Sequence, residues 1–233
     1  FDPATSNRLF VLGMRDIEDD PATTAREWAE WDVPRLQDEV YDRILYYGDR
    51  AVFDPVDAYA MSPSASAKLV ACGYLGRSRA EIDRPTAHVR RELGLGEQPL
   101  VVVTVGGGGD GLAILRTVAE SIAAWPGGAP FHALLVTGPL MASGKRELVR
   151  QAQAASERMT VLEFTPRLFT YMAAADLVIG MAGYNTAVET LSLGKRTLFI
   201  PRTQQRKEQL IRAERLAARG WARLIHPGAL TPD

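Results

Sequence analysis

The sequence predicts an α/β fold built on a Rossmann-like, doubly wound parallel sheet, preceded by the tail of a second α/β domain. Three observations carry this expectation. The run "PLVVVTV" at 99–105 is apolar without alternation, as a strand buried on both faces must be. Strand-like and helix-like segments then alternate to the end of the chain, the pattern of a parallel sheet covered by helices. Glycine turns at 106–111 and 180–183 join strand to helix.

Before residue 75 the reading is coarser. "RLFVLGMRDI" reads as a strand running into a turn, and "VPRLQDEVYDRILYYGD" as a helix leading into a strand. "VFDPVDAYAMSPSASA", with two prolines and three serines, reads as a loop. "KLVACGYLG" reads as a short strand, and the acidic "RDIEDD" at 15–20 as a solvated turn. These pieces are expected to close no core of their own.

From residue 97 the pattern is regular. "DGLAILRTVAESIAAW" carries Leu112, Leu115, Val118, Ala119 and Ile122 on one helical face. "FHALLVTG", "MTVLEF", "DLVIG", "RTLFIP" and "WARLIH" read as further strands. "KRELVRQAQAASE", "RLFTYMAAA", "NTAVETLSLG" and "QRKEQLIRAERLAARG" read as helices, with Gly194 and Gly220 closing two of them. Ligands of such sheets bind beyond the carboxyl ends of the strands, near the switch in strand order. The loops to inspect are therefore 105–111, 137–144, 163–167, 180–186 and 201–209. Both ends of the chain read as cut, since the first residue is Phe1 and Thr231 and Asp233 read as the opening of another helix.

Composition narrows the function. The chain has 233 residues, 46% hydrophobic and 24% charged, with a formal net charge of -1, which is an ordinary soluble balance without the basic footprint of a nucleic-acid binder. Cys72 stands alone, which excludes a disulfide-built fold and reads as a small buried hydrophobe. No apolar run approaches the ~20 residues of a membrane span. No signal peptide is visible, so the cytoplasm is the default location. The basic helix at 205–219 reads as a solvated face, which leaves peripheral contact with an anionic membrane surface open.

"VGGGGDG" at 105–111 satisfies G-x-G-x-x-G, with a strand before it and a helix after it. Amides and the helix dipole there favour an anion. A dinucleotide site also needs an acid at the end of the next strand, which closes instead on "VTGPL". "GPLMASGKR" fails as a P-loop by one residue too many and by Arg146 in place of the hydroxyl. Asp110 reads as the N-cap of the helix. In "GMAGYNTAVETLSLG" a second glycine turn opens a helix, with Asn185 and Glu189 four apart on one face. Glu189 suits a vicinal diol such as ribose, and two anion-friendly helix starts on one sheet edge suit a diphosphate. Glu208 and Gln209 suit a hydroxyl-rich sugar. His88, His132 and His226 are scattered, and no metal-ligand cluster or resident cofactor is expected.

Taken together, these segments resemble the nucleotide-sugar-binding domain of GT-B glycosyltransferases of family twenty-eight, which includes the peptidoglycan N-acetylglucosaminyltransferase. The resemblance spans about residues 70 to 233. It implies that Gly106, Gly107, Gly108 and Gly109 abut the donor diphosphate, Gly108 standing where the family has serine. It implies the same anion for Gly183, Tyr184, Asn185 and Thr186, and for Arg77 of "GYLGR". Phe164 and Thr165 would read the base and Glu189 the ribose. Ala182 replaces a family serine. Glu208 and Gln209 would read the sugar, with Glu208 replacing a family glutamine. Residues 1–75 become the end of an incomplete acceptor-side domain, 76–96 an interdomain linker, and 97–233 the nucleotide-sugar-binding domain, truncated at its C-terminus. The implied activity is inverting transfer of a hexosyl group from a UDP-sugar to an unknown acceptor, with the catalytic base outside this chain and no metal. A binding subunit of a split enzyme and a sugar-nucleotide 2-epimerase are the alternatives.

Overall fold

The computed structural model describes residues 8–154 and 156–231; Asp233 and the first seven residues lie outside the described residues. The larger sheet contains β4 (Leu100–Thr104), β5 (His132–Val136), β6 (Met159–Leu162), β7 (Leu177–Gly180), β8 (Arg196–Phe199) and β9 (Arg223–Leu224). All its pairings are parallel, in the order β6-β5-β4-β7-β8-β9. The chain leaves β4 for β5 on one side and returns to β7 on the other, which puts the switch point between β4 and β7.

Each residue of β4 and β5 is buried. Side chains alternate across the strand, so Val101 and Val103 enter one core while Leu100 and Val102 enter the other. The first core is closed by α6 (Leu112–Ala124) and α7 (Ser143–Ala154), through Ile114, Leu115, Ala119, Ile122 and Val149. The second is closed by α5 (Thr86–Glu92) and α8 (Leu168–Ala174), through Val89, Phe169 and Met172. Burying one such aliphatic side chain stabilises the fold by about 1.5–3 kcal/mol. α9 (Tyr184–Ser192) and α10 (Glu208–Ala218) close a third cluster around Phe199. Gly194 and Gly220, with φ of 63° and 72°, follow the last residues of these two helices as expected.

Residues 8–75 are more ordered than their sequence foretold. β1 (Val11–Arg15), β2 (Arg43–Tyr47) and β3 (Leu69–Ala71) form a second parallel sheet, in that order. It does close a small core, made by Met14, Ile44, Tyr46 and Ala65 with Trp28 packed against them. Between the strands lie α1 (Pro21–Glu30), α2 (Val33–Glu39), α3 (Pro55–Ala58) and α4 (Pro63–Lys68). The stretch read as a loop is therefore two short helices. Its prolines sit in their first turns, where the missing amide is harmless, and Asp54 and Ser62 cap them. Asp20 caps α1 in the same way.

The "RDIEDD" segment is not a solvated turn. Asp16 and Asp19 are 0% and 1% exposed. Asp16 accepts two hydrogen bonds from Arg212 of α10, at 2.7 and 2.6 Å, and Asp19 accepts the Lys207 amide at 2.7 Å. Nor is α10 a purely solvated face, because Arg212 is 2% exposed. These contacts join the two sheets into one body. Cys72 is exposed rather than buried. Among the described residues, no helix is long and apolar enough to cross a membrane.

Candidate functional site

The carboxyl ends of β4 and β7 open onto a cleft of about 620 Å³ at the switch point. One wall is the loop 105–111 and the other is the start of α9. Two glycines of the loop are demanded by its neighbours rather than by any ligand. Gly108 has φ of 92°, and a Cβ there would lie 2.0 Å from the Thr137 carbonyl oxygen. A Cβ on Gly111 would lie 2.2 Å from that of Val105, where α6 is drawn against the strand. Gly109 meets nothing and faces open space. Among the described residues, the amides of Gly107 and Gly109 make no hydrogen bond, whereas that of Gly108 donates to the Val105 carbonyl.

Both helices that open on this cleft do so without a side-chain cap. Gly111 is the N-cap of α6 and Gly183 that of α9. The expected cap, Asp110, turns away to the Arg202 guanidinium at 3.4 Å. The leading amides of each helix have no intrahelical acceptor. Two positive helix ends thus converge on one cavity, a strong environment for an anion.

Left-handed backbone at Ala182, with φ of 62°, turns the chain from β7 into α9. Its carbonyl accepts the buried Arg212 guanidinium at 2.7 Å. The Tyr184 hydroxyl donates to the Tyr47 carbonyl at 2.9 Å and accepts the Leu75 amide at 3.0 Å. Its side chain is therefore a strut between the sheets, and burial pushes its phenol pKa up.

The cleft gathers Gly106, Gly107, Gly108, Gly109, Gly183, Tyr184, Asn185, Thr186 and Gln209 of the expected set. Gln209 accepts the Arg202 amide through its side-chain oxygen at 3.1 Å. Glu208 stands behind it, paired with Arg202 at 2.7 Å, and one of its oxygens is buried without a partner. Glu189 lies one turn further along α9 than Asn185 and does not line the cleft. Burial raises its carboxyl pKa, against the opposing pull of Arg77. Arg77 itself pairs with Glu81 at 3.0 Å and lies over the Phe169 ring, outside the cleft. Phe164 and Thr165 follow β6, two strands from β4; Phe164 is 63% exposed, and the Thr165 hydroxyl accepts the Arg167 amide.

Two charged residues of the cleft escaped the sequence reading. Arg202 follows Pro201 in a loop already singled out, and its charge was the available signal. Arg15 reaches the cleft from the end of β1 in the smaller sheet. Only knowledge that β1 faces the larger sheet would have placed it there.

A parallel sheet of this order, with two uncapped helix starts at its switch point, is a Rossmann-like domain and matches one half of a GT-B architecture. Solved structures agree at the level of fold. The glycosyltransferase of kitacinnamycin superposes with a TM-score of 0.59 at 21% identity, over 91% of this chain and 51% of that one. MurG of Acinetobacter baumannii does so with a TM-score of 0.55 at 15% identity, over 97% and 87%. The family model described as "Glycosyltransferase family 28 C-terminal domain" matches residues 100–233, and the chain belongs to that family. Two curated relatives are named as UDP-N-acetylglucosamine–N-acetylmuramyl-(pentapeptide) pyrophosphoryl-undecaprenol N-acetylglucosamine transferases. That of Acetivibrio thermocellus is 31% identical over 66% of this chain and 41% of its own length. That of Rubrobacter xylanophilus is 29% identical over 58% and 37%. The chain spans about two-fifths of the length of these relatives.

Proposed function

We propose that the chain supplies the donor half of an inverting glycosyltransferase that moves a hexosyl group from a UDP-sugar to an acceptor hydroxyl. The observation that carries this reading is the convergence of two uncapped helix N-termini and a glycine loop on one cleft at the switch point. The names of the relatives favour transfer over epimerisation or mere binding. In the reaction, the acceptor oxygen bonds to the anomeric carbon while the bond from that carbon to the diphosphate oxygen breaks. The electron pair leaves with the diphosphate, and the acceptor proton passes to a base. In this reading the charge grows beside the amides of Gly107, Gly109 and the α9 start, which would supply preorganised electrostatic stabilisation. Glu189 would hold the ribose, Phe164 and Thr165 the base, and Glu208 and Gln209 the sugar; these groups orient rather than react.

The test compares UDP with uridine by equilibrium dialysis. A cleft built for a diphosphate binds UDP at least about 100-fold more tightly, the equivalent of two charge-assisted hydrogen bonds. Equal affinity for the two would remove the diphosphate from the cleft and this reading with it.

A further inference from the structure

The resemblance to known sequences gave the leaving diphosphate its cation through Arg77, and the structure turns that side chain to Glu81 and the Phe169 ring. A different guanidinium faces the cleft. Arg15 ends β1 and lines the same cavity as the glycine loop and the start of α9. Among the described residues, its side chain forms no ion pair or hydrogen bond. Of the other charged residues lining the cavity, Asp110 pairs with Arg202, which is held more closely by Glu208 at 2.7 Å. Arg15 is thus the charged side chain of the cavity that no acid binds directly, although Glu18 is near enough to feel its charge, and it stands beside two positive helix ends.

The residue after Arg15 explains why it stays there. Asp16 is fully buried and bound through both oxygens to Arg212, whose third contact is the Ala182 carbonyl. One guanidinium therefore ties the end of β1 to the turn that aims α9 at the cleft. The Asp16 backbone carbonyl is held as well, by the Tyr46 hydroxyl at 3.0 Å. The chain on the C-terminal side of Arg15 has no freedom to swing away.

We propose that Arg15 neutralises the anionic leaving group in the cleft, and that the Asp16–Arg212–Ala182 link holds it in register with the start of α9. The inference rests on the donor-site reading above and adds to it a catalytic cation from the smaller sheet. A cation fixed before the charge develops needs no rearrangement during bond cleavage. Asp16 and Arg212 are positioning residues, since neither lines the cavity.

The test titrates UDP, inorganic pyrophosphate and uridine into the wild-type chain and into Arg15→Gln, Arg15→Lys and Asp16→Asn. Arg15→Gln is expected to weaken UDP and pyrophosphate about ten-fold or more and to leave uridine unchanged, as loss of a charge-assisted contact requires. Arg15→Lys is expected to recover part of that loss, because a point charge replaces a fork. Asp16→Asn is expected to weaken the two anions and spare uridine, a pattern that general loosening of the fold would not give. If wild type and Arg15→Gln bind both anions equally, Arg15 is not the cation and the donor-site reading survives. A wild-type chain that binds neither anion overturns both.

Discussion

Replacing Asp16 by alanine should be among the most damaging single changes to this fold. The carboxylate is 0% exposed and its partner Arg212 2% exposed. The pair is bidentate, at 2.7 and 2.6 Å. Asp16→Ala leaves the guanidinium buried with only the Ala182 carbonyl as an acceptor. Breaking a buried pair in this way costs about 3–5 kcal/mol, most of it the stranded charge rather than the lost attraction. At about 2–4 °C per kcal/mol for a chain of this size, the melting temperature should fall by ~6–20 °C. Calorimetric melts of wild type, Asp16→Ala and the double variant Asp16→Ala/Arg212→Met separate the two contributions. The double variant removes the stranded charge and should recover most of the loss. A single-variant loss below about 1 kcal/mol, the range of exposed pairs, would refute the reasoning. So would a double variant as unstable as the single one.

Two other changes probe the glycine loop of the cleft and the helix that leads away from it. Gly108→Ser restores the residue that the family pattern has, yet it should destabilise by about 2 kcal/mol or more in urea unfolding. A left-handed φ of 92° and a 2.0 Å approach to Thr137 both oppose it. Wild-type stability in that variant would show that the loop adopts another conformation. Burial raises the Glu189 carboxyl pKa above its ordinary 4.5. The contribution of a raised group is complete below the unfolded value and is lost as pH rises through the folded one. Glu189→Gln should therefore raise the melting temperature at pH 7 and change it little at pH 4, while weakening UDP by about 1–3 kcal/mol. Equal shifts at both pH values would assign the effect to packing.

Much of the larger domain was legible because its signals are local. "PLVVVTV" is apolar at all but Thr104 of the positions that the sheet buries, and glycine marks the turns at 106–111 and 180–183. The smaller sheet was read poorly for two physical reasons. Its helices α3 and α4 are single turns whose Asp-Pro and Ser-Pro starts look like loop sequence. Its acidic segment owes its burial to Arg212, almost two hundred residues away, and no local pattern announces such a partner. Asp110 shows the same limit from the other side. It stands where a cap belongs, but Arg202 draws it off, and the helix start is left open for an anion. The glycine run divides likewise. Pattern alone treats its glycines as equivalent, whereas packing demands Gly108 and Gly111 and leaves Gly107 and Gly109 with free amides.

The nucleotide that the cleft accepts is the most direct measure of the account. Calorimetric titration of the chain with UDP, TDP, GDP and NAD should show saturable binding of a nucleoside diphosphate, tightest for UDP, and none of NAD. Binding of NAD with no response to any of the three diphosphates would contradict it.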